Sequence, residues 1–119
     1  MAKASLGAGN VDIELDGDTV VLKPTLNAIQ AISRQSEGIM GAVRKVGQFD
    51  FDMIVLVIGL GTNTTDRKDQ RDLAERVFAT GLADLVEPVT RYLSILANGG
   101  RPLPNGDEGG EGDADPRKS

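Results

Sequence analysis

Four stretches of the 119-residue chain hold residue types and spacings that could do chemistry. Residues 59–65 read GLGTNTT, a glycine-rich run of the kind that cradles phosphates. Asp50 and Asp52 stand two apart, as a metal-binding pair can. Residues 109–115 read GGEGDAD, close to the calcium-binding nonapeptide. Asn63-Thr64-Thr65 fits the glycosylation sequon. Each has a plainer reading. A phosphate loop needs glycine, four residues, then Gly-Lys-Ser/Thr, and no lysine here is placed to reach a phosphate. The dinucleotide pattern lacks its third glycine. The aspartate place of the nonapeptide is Ala114, and the motif occurs once where an array is needed. Asp50 and Asp52 have no evident partner ligands, and helix capping accounts for them. The sequon matters only on a secretory route, and the first ten residues lack the apolar core of a signal peptide.

The chain has no histidine, the commonest general acid–base residue, and no cysteine, which removes thiolate nucleophiles, disulfides and sulfur-ligated metals. No catalytic, cofactor-binding or metal-binding residue is assigned, no cofactor is expected, and the chain is read as a non-enzyme. Aromatics are limited to Phe49, Phe51, Phe78 and Tyr92, and the formal charge is −5. Base-stacking readers need aromatics and duplex binders need a basic face, so nucleic acid is not expected as a partner. The longest apolar run, residues 53–60, is too short to cross a bilayer, so no membrane is expected either.

With no reagent to position, the elements themselves become the subject. Val11, Ile13 and Leu15 alternate with Asp12, Glu14 and Asp16, and Val20 and Leu22 continue beyond Asp16-Gly17. That is a β-hairpin signal. Its apolar face must rest on something else, because a lone hairpin is marginal in water. Pro24 ends the second strand and Thr25 is a suitable N-cap. Leu26, Ala28, Ile29, Ala31 and Ile32 predict a helix to about Gln35. Ile39, Met40, Val43 and Val46 repeat at helical spacing to Gly47, with Gly41 weakening that helix by roughly 1 kcal/mol relative to alanine. Ile54-Val55-Leu56-Val57-Ile58 is β-branched and continuous, and periodicity leaves a buried strand and a buried helix both open. Thr65 or Asp66 starts a long helix with an apolar edge of Leu73, Ala74, Val77 and Phe78. Gly81 breaks it. Leu82, Leu85, Val86, Val89, Tyr92, Leu93 and Leu96 mark a last helix, with Pro88 expected in or near its first turn.

The resulting expectation is an α+β chain, mainly helical: an N-terminal β-hairpin (10–24), then a bundle of four to five short helices (25–98). Residues 10–99 form the single folded domain. Residues 1–9 are expected to be flexible. Residues 100–119, acidic and glycine-rich without apolar periodicity, are expected to be a disordered tail.

The stretch ELDGDTVVLKPTLNAIQAISRQSEG resembles the opening of a family of small proteins from the tail gene clusters of gene transfer agents and siphophage-like prophages. Leu15-Asp16-Gly17, Leu22-Lys23-Pro24-Thr25, Ala28, Ile32 and Gly38 carry the likeness. Gly81-Leu82, Pro88-Val89, Tyr92-Leu93 and Gly99 extend it to about residues 10–99. The β-branched 54–58 segment and the glycine-rich end depart from the pattern. The family is regarded as tail assembly chaperones, sometimes labelled tail tube proteins. The resemblance favours a helix at 54–58. It implies a phage-type chaperone that binds the tape measure protein in the bacterial host cytoplasm and assists tail tube polymerisation. Such a protein would touch tube subunits, could self-associate, and would leave the mature particle. The alternatives are a structural tube or neck component retained in the particle, and a small enzyme with an unrecognised carboxylate site.

A chaperone of this kind needs apolar surface that covers another protein's apolar surface reversibly. Ile39, Met40, Val43 and Val46 are the candidate protein-binding residues, because a glycine-flanked helix can shift and methionine adapts to varied partners. The same four also fit a core-facing stripe.

Overall fold

The computed structural model describes residues 9–103. The flexibility expected of 1–8 and the disorder expected of 104–119, with the nonapeptide-like run, lie outside the described residues. Two strands, β1 (Val11–Leu15) and β2 (Asp18–Leu22), are followed by five helices. These are α1 (Leu26–Ser36), α2 (Ile39–Gly47), α3 (Phe51–Gly61), α4 (Arg67–Thr80) and α5 (Leu82–Ala97). The fold is therefore a hairpin leading into a helical bundle.

The hairpin pairs antiparallel, with Val11 opposite Leu22 and Leu15 opposite Asp18. Asp16 and Gly17 both have positive φ, 53° and 88°, which gives the turn the twist that a two-residue hairpin requires. Val11, Ile13, Leu15 and Leu22 are buried and Val20 half-buried, while Asp12, Glu14 and Val21 face outward. The sheet is held from α4 as well as from the core. Arg76 Nη2 donates to Leu15 O and to Asp18 Oδ2, both at 2.9 Å, and the Asp16 N–H donates to Thr80 Oγ1 at 2.7 Å. Because Ile13 is almost fully buried, Ile13→Ala should lower the unfolding free energy by roughly 2–4 kcal/mol in urea titration. An unchanged midpoint would mean that the hairpin is peripheral.

Three of the helices start at a side-chain cap. Thr25 Oγ1 accepts from Ala28 N at 3.0 Å, Asp50 Oδ1 from Met53 N at 2.9 Å, and Asp66 Oδ2 from Lys68 N at 3.1 Å. Residues 51–61 are helical with Asp50 as the cap, the state that the β-branched run left undecided. α3 packs on α1, α2, α4, α5 and β2, and so occupies the middle of the bundle.

Three details differ from expectation. Leu26 points outward, and the buried stripe of α1 is Ala28, Ile32 and Ser36. Pro88 lies in the second turn of α5, not the first. Its missing N–H leaves Asp84 O without the usual helical donor, which exposed Asp84 can offset with water. The contacts also run past Gly99: Gly100 N donates to Ile95 O, Asn98 Nδ2 to the carbonyls of Arg101 and Pro102, and Leu103 packs on the core.

Lys23 joins the hairpin to the bundle through its backbone. Its N–H donates to Gly61 O at 2.9 Å, and its carbonyl accepts from the Tyr92 hydroxyl at 2.7 Å. Burial pushes the Tyr92 phenol up to about 12 from its ordinary value of 10.0. Since the folded state holds this proton more tightly, the native chain binds more protons than the unfolded one between those two values. Stability should therefore fall as pH rises from 10 to 12. In Tyr92→Phe that alkaline slope should disappear, and the lost hydrogen bond should cost about 1–2 kcal/mol at neutral pH. Urea titrations of both proteins at pH 8 and at the alkaline end would measure this, and equal slopes would contradict it.

Candidate functional site

α3 reads FDMIVLVIGLG, apolar almost throughout. A helix of that composition is ordinarily surrounded. Here it divides into two stripes. Met53, Ile54, Val57, Ile58 and Gly61 are buried, while Phe51, Val55, Leu56, Gly59 and Leu60 are only half-buried. The outward stripe contributes no polar side chain except Asp52 at its start.

α4 runs beside this stripe. Its buried residues are Leu73 and Val77; Ala74 is half-buried and Phe78 is 80% exposed, the most exposed large apolar side chain among the described residues. The apolar edge expected of α4 is therefore split, with Phe78 turned outward. Along the two helices lies a groove of about 550 Å³, which Gln35 of α1 and Lys45 of α2 also line. Its apolar lining includes Val55, Leu56, Leu60, Leu73 and Ala74, and its polar lining includes Lys45, Asp50, Asp52 and Gln70. A shallower hollow of about 440 Å³ continues from it, lined by Phe51, Arg71, Ala74, Glu75 and Phe78. Phe51 and Ala74 line both, so the two form one surface.

None of the four residues singled out from sequence lines the groove or the hollow, although Ile39 and Val43 are buried to the same degree as the outer stripe of α3. Val46 is fully buried, Ile39 and Val43 are half-buried against the core, and Met40 alone points out, at 69% exposure. α2 buries Gly41, Ala42 and Val46. Sequence reasoning passed over the outer stripe of α3 because its two faces have the same composition. One signal was available: Ala74 and Phe78 lie four apart and one position beyond Leu73 and Val77, at the margin of the buried stripe.

The GLGTNTT stretch forms the end of α3 and the turn after it. Thr62 Oγ1 donates to Ile58 O at 2.9 Å and lies 2.7 Å from Thr64 Oγ1, and Thr64 N donates to Gly59 O at 2.8 Å. Neighbouring groups complete the loop: Gln70 Nε2 donates to the carbonyls of Thr64 and Thr65, and Lys23 N to that of Gly61. Asp50 is occupied as a cap, and among the described residues no three carboxylates come together to hold a metal. No described helix is long and apolar enough to cross a membrane. Comparison with protein families, curated proteins and solved structures finds no significant match.

Proposed function

We propose that this chain is a non-catalytic binding protein that takes an apolar helical segment of another protein into the α3–α4 groove. The observation that carries this reading is the outward stripe of α3, an apolar face on a central helix, continued by exposed Phe78. A groove along two helices with both apolar and polar lining suits an amphipathic helix laid along it. Binding of this kind draws on removal of apolar area from water, and requires no reagent.

On the sequence resemblance, the client is the tape measure protein and the role is that of a tail assembly chaperone, acting in the host cytoplasm with tube subunits nearby. The small sheet, two strands among the described residues, supports this above a tube component that stacks in rings. The test is co-expression with the tape measure protein, followed by mass spectrometry of purified particles. The client should stay soluble and co-purify with this chain, and the chain should be absent from finished particles. Stoichiometric recovery from particles would instead make it a structural component. An insoluble client would remove the chaperone reading.

A further inference from the structure

The Phe78 end of the surface carries a charge pattern that points to its occupant. Arg71 and Glu75 flank Phe78 in the hollow. Within their own helix they meet only at 4.0 Å, with side chains 83% and 71% exposed, so each is free to pair elsewhere. The exposed charges of α4 are Arg67, Lys68 and Arg71 against Asp69, Asp72 and Glu75, three of each sign. The hairpin surface is different: Asp12, Glu14 and Asp16 are exposed there with no ion-pair partner among the described residues, beside Asp18, which Arg76 pairs, and Lys23 at the strand's end. In a chain of net charge −5, two copies repel across the hairpin but not across α4.

We infer that the free protein forms a two-fold pair through α4, the occupant of the Phe78 hollow being a second copy of this chain. A two-fold interface must be self-complementary, with residue i of one copy meeting j of the other and the reverse. Antiparallel packing of α4 on α4 achieves this. Arg71 of each copy lies beside Glu75 of the other, Ala74 near the crossing lets the helices approach, and each Phe78 is withdrawn from water. Phe51 and Ala74 belong to the groove as well, so the pair must open before a client fills the groove from this end. That last consequence rests on the groove reading above; the pairing does not.

The test uses charge reversal on the full-length chain. Wild-type protein should sediment as a dimer within the micromolar to roughly millimolar range of modest interfaces. Phe78→Ser should raise the dimer dissociation constant at least about tenfold. Arg71→Glu sets carboxylate against carboxylate at both contacts of the pair, and Glu75→Arg sets guanidinium against guanidinium. Each variant alone should therefore be monomeric. Mixed, these two variants restore opposite charges at both contacts and should form a one-to-one dimer. Circular dichroism should show all variants folded. A monomeric wild type, a dimer indifferent to Phe78→Ser, or failure of the two reversed variants to pair would each overturn the inference. The groove reading fails separately: Leu56→Ser leaves the α4 pair intact, so a variant that still dimerises and still holds the client would count against the groove alone.

Discussion

Gly41→Ala is expected to destabilise the protein, by roughly 2–3 kcal/mol, although alanine is the better helix former. Judged by helix propensity alone the substitution should gain about 1 kcal/mol. The structure reverses the sign. Glu37 ends α1 in the left-handed conformation at φ 60°, and Gly38 N returns to Ser33 O at 3.0 Å. This corner brings α2 back under the end of α1. Ser36 is buried there, its hydroxyl 2.5 Å from Ile32 O and 3.0 Å from Gly38 O. A Cβ on Gly41 would overlap the Ser36 carbonyl oxygen, which is backbone and cannot swing aside. The corner must open, and that disturbs Ala42 and Val46 beneath it, both fully buried. Thermal unfolding should show a midpoint lower by roughly 10–20 °C. A midpoint equal to or above that of the wild type would mean that the α1–α2 approach is looser than described.

The largest functional effect is expected from Leu56→Ser combined with Leu60→Ser. Both side chains line the groove and are half-buried, and both also pack on the core, so the substitution removes apolar wall and some core contact together. Interface anchors are commonly worth about 2 kcal/mol each, so affinity for the proposed client, the tape measure protein, should fall at least about a hundredfold. Because both positions touch the core, the variant also loses stability, and circular dichroism must show it folded at the temperature of the binding measurement. Met40→Asp is the control, because Met40 is exposed on α2 and is not among the groove-lining residues. It should leave client binding unchanged. Titration calorimetry with purified client would separate the two. If Met40→Asp removes binding while the groove variant keeps it, the binding surface is the α2 stripe, and the α3–α4 groove is an ordinary surface depression.

The parts of the fold that were legible are those where local chemistry and periodicity agree. The hairpin is one: period-two alternation flanks a dipeptide suited to positive φ, and the core needs that face. The cap at Thr25 is another, and the start of α4 was narrowed to Thr65 or Asp66, since each hydroxyl or carboxylate sits just before a helical run. Legibility failed where a pattern had no phase. Residues 54–58 are uniformly apolar, so neither their secondary structure nor their outward side follows from spacing. It failed again at stripe margins: Leu26 and Phe78 belong to apolar edges by spacing, yet the neighbouring elements do not reach them. Contacts between distant residues left no local trace at all. Arg76 reaching Leu15 O, and Tyr92 reaching Lys23 O, join positions 61 and 69 apart in the chain. The outer stripe of α3 was hidden by the first of these failures, and Phe78 by the second. α2 shows a clear apolar stripe and so attracts attention, but a clear stripe is what packing against the bundle produces. The groove is built from the helix whose outer face resembles its inner one.

Methyl-resolved NMR of the full chain, free and with the tape measure protein bound, tests the central claim most directly. If the α3–α4 face holds the client, the methyl groups of Val55, Leu56, Leu60 and Ala74 shift on binding. Those of Val46 and Val57, both fully buried, change little. Shifts confined to Ile39, Met40 and Val43, with the groove methyls unmoved in a demonstrably formed complex, would contradict it.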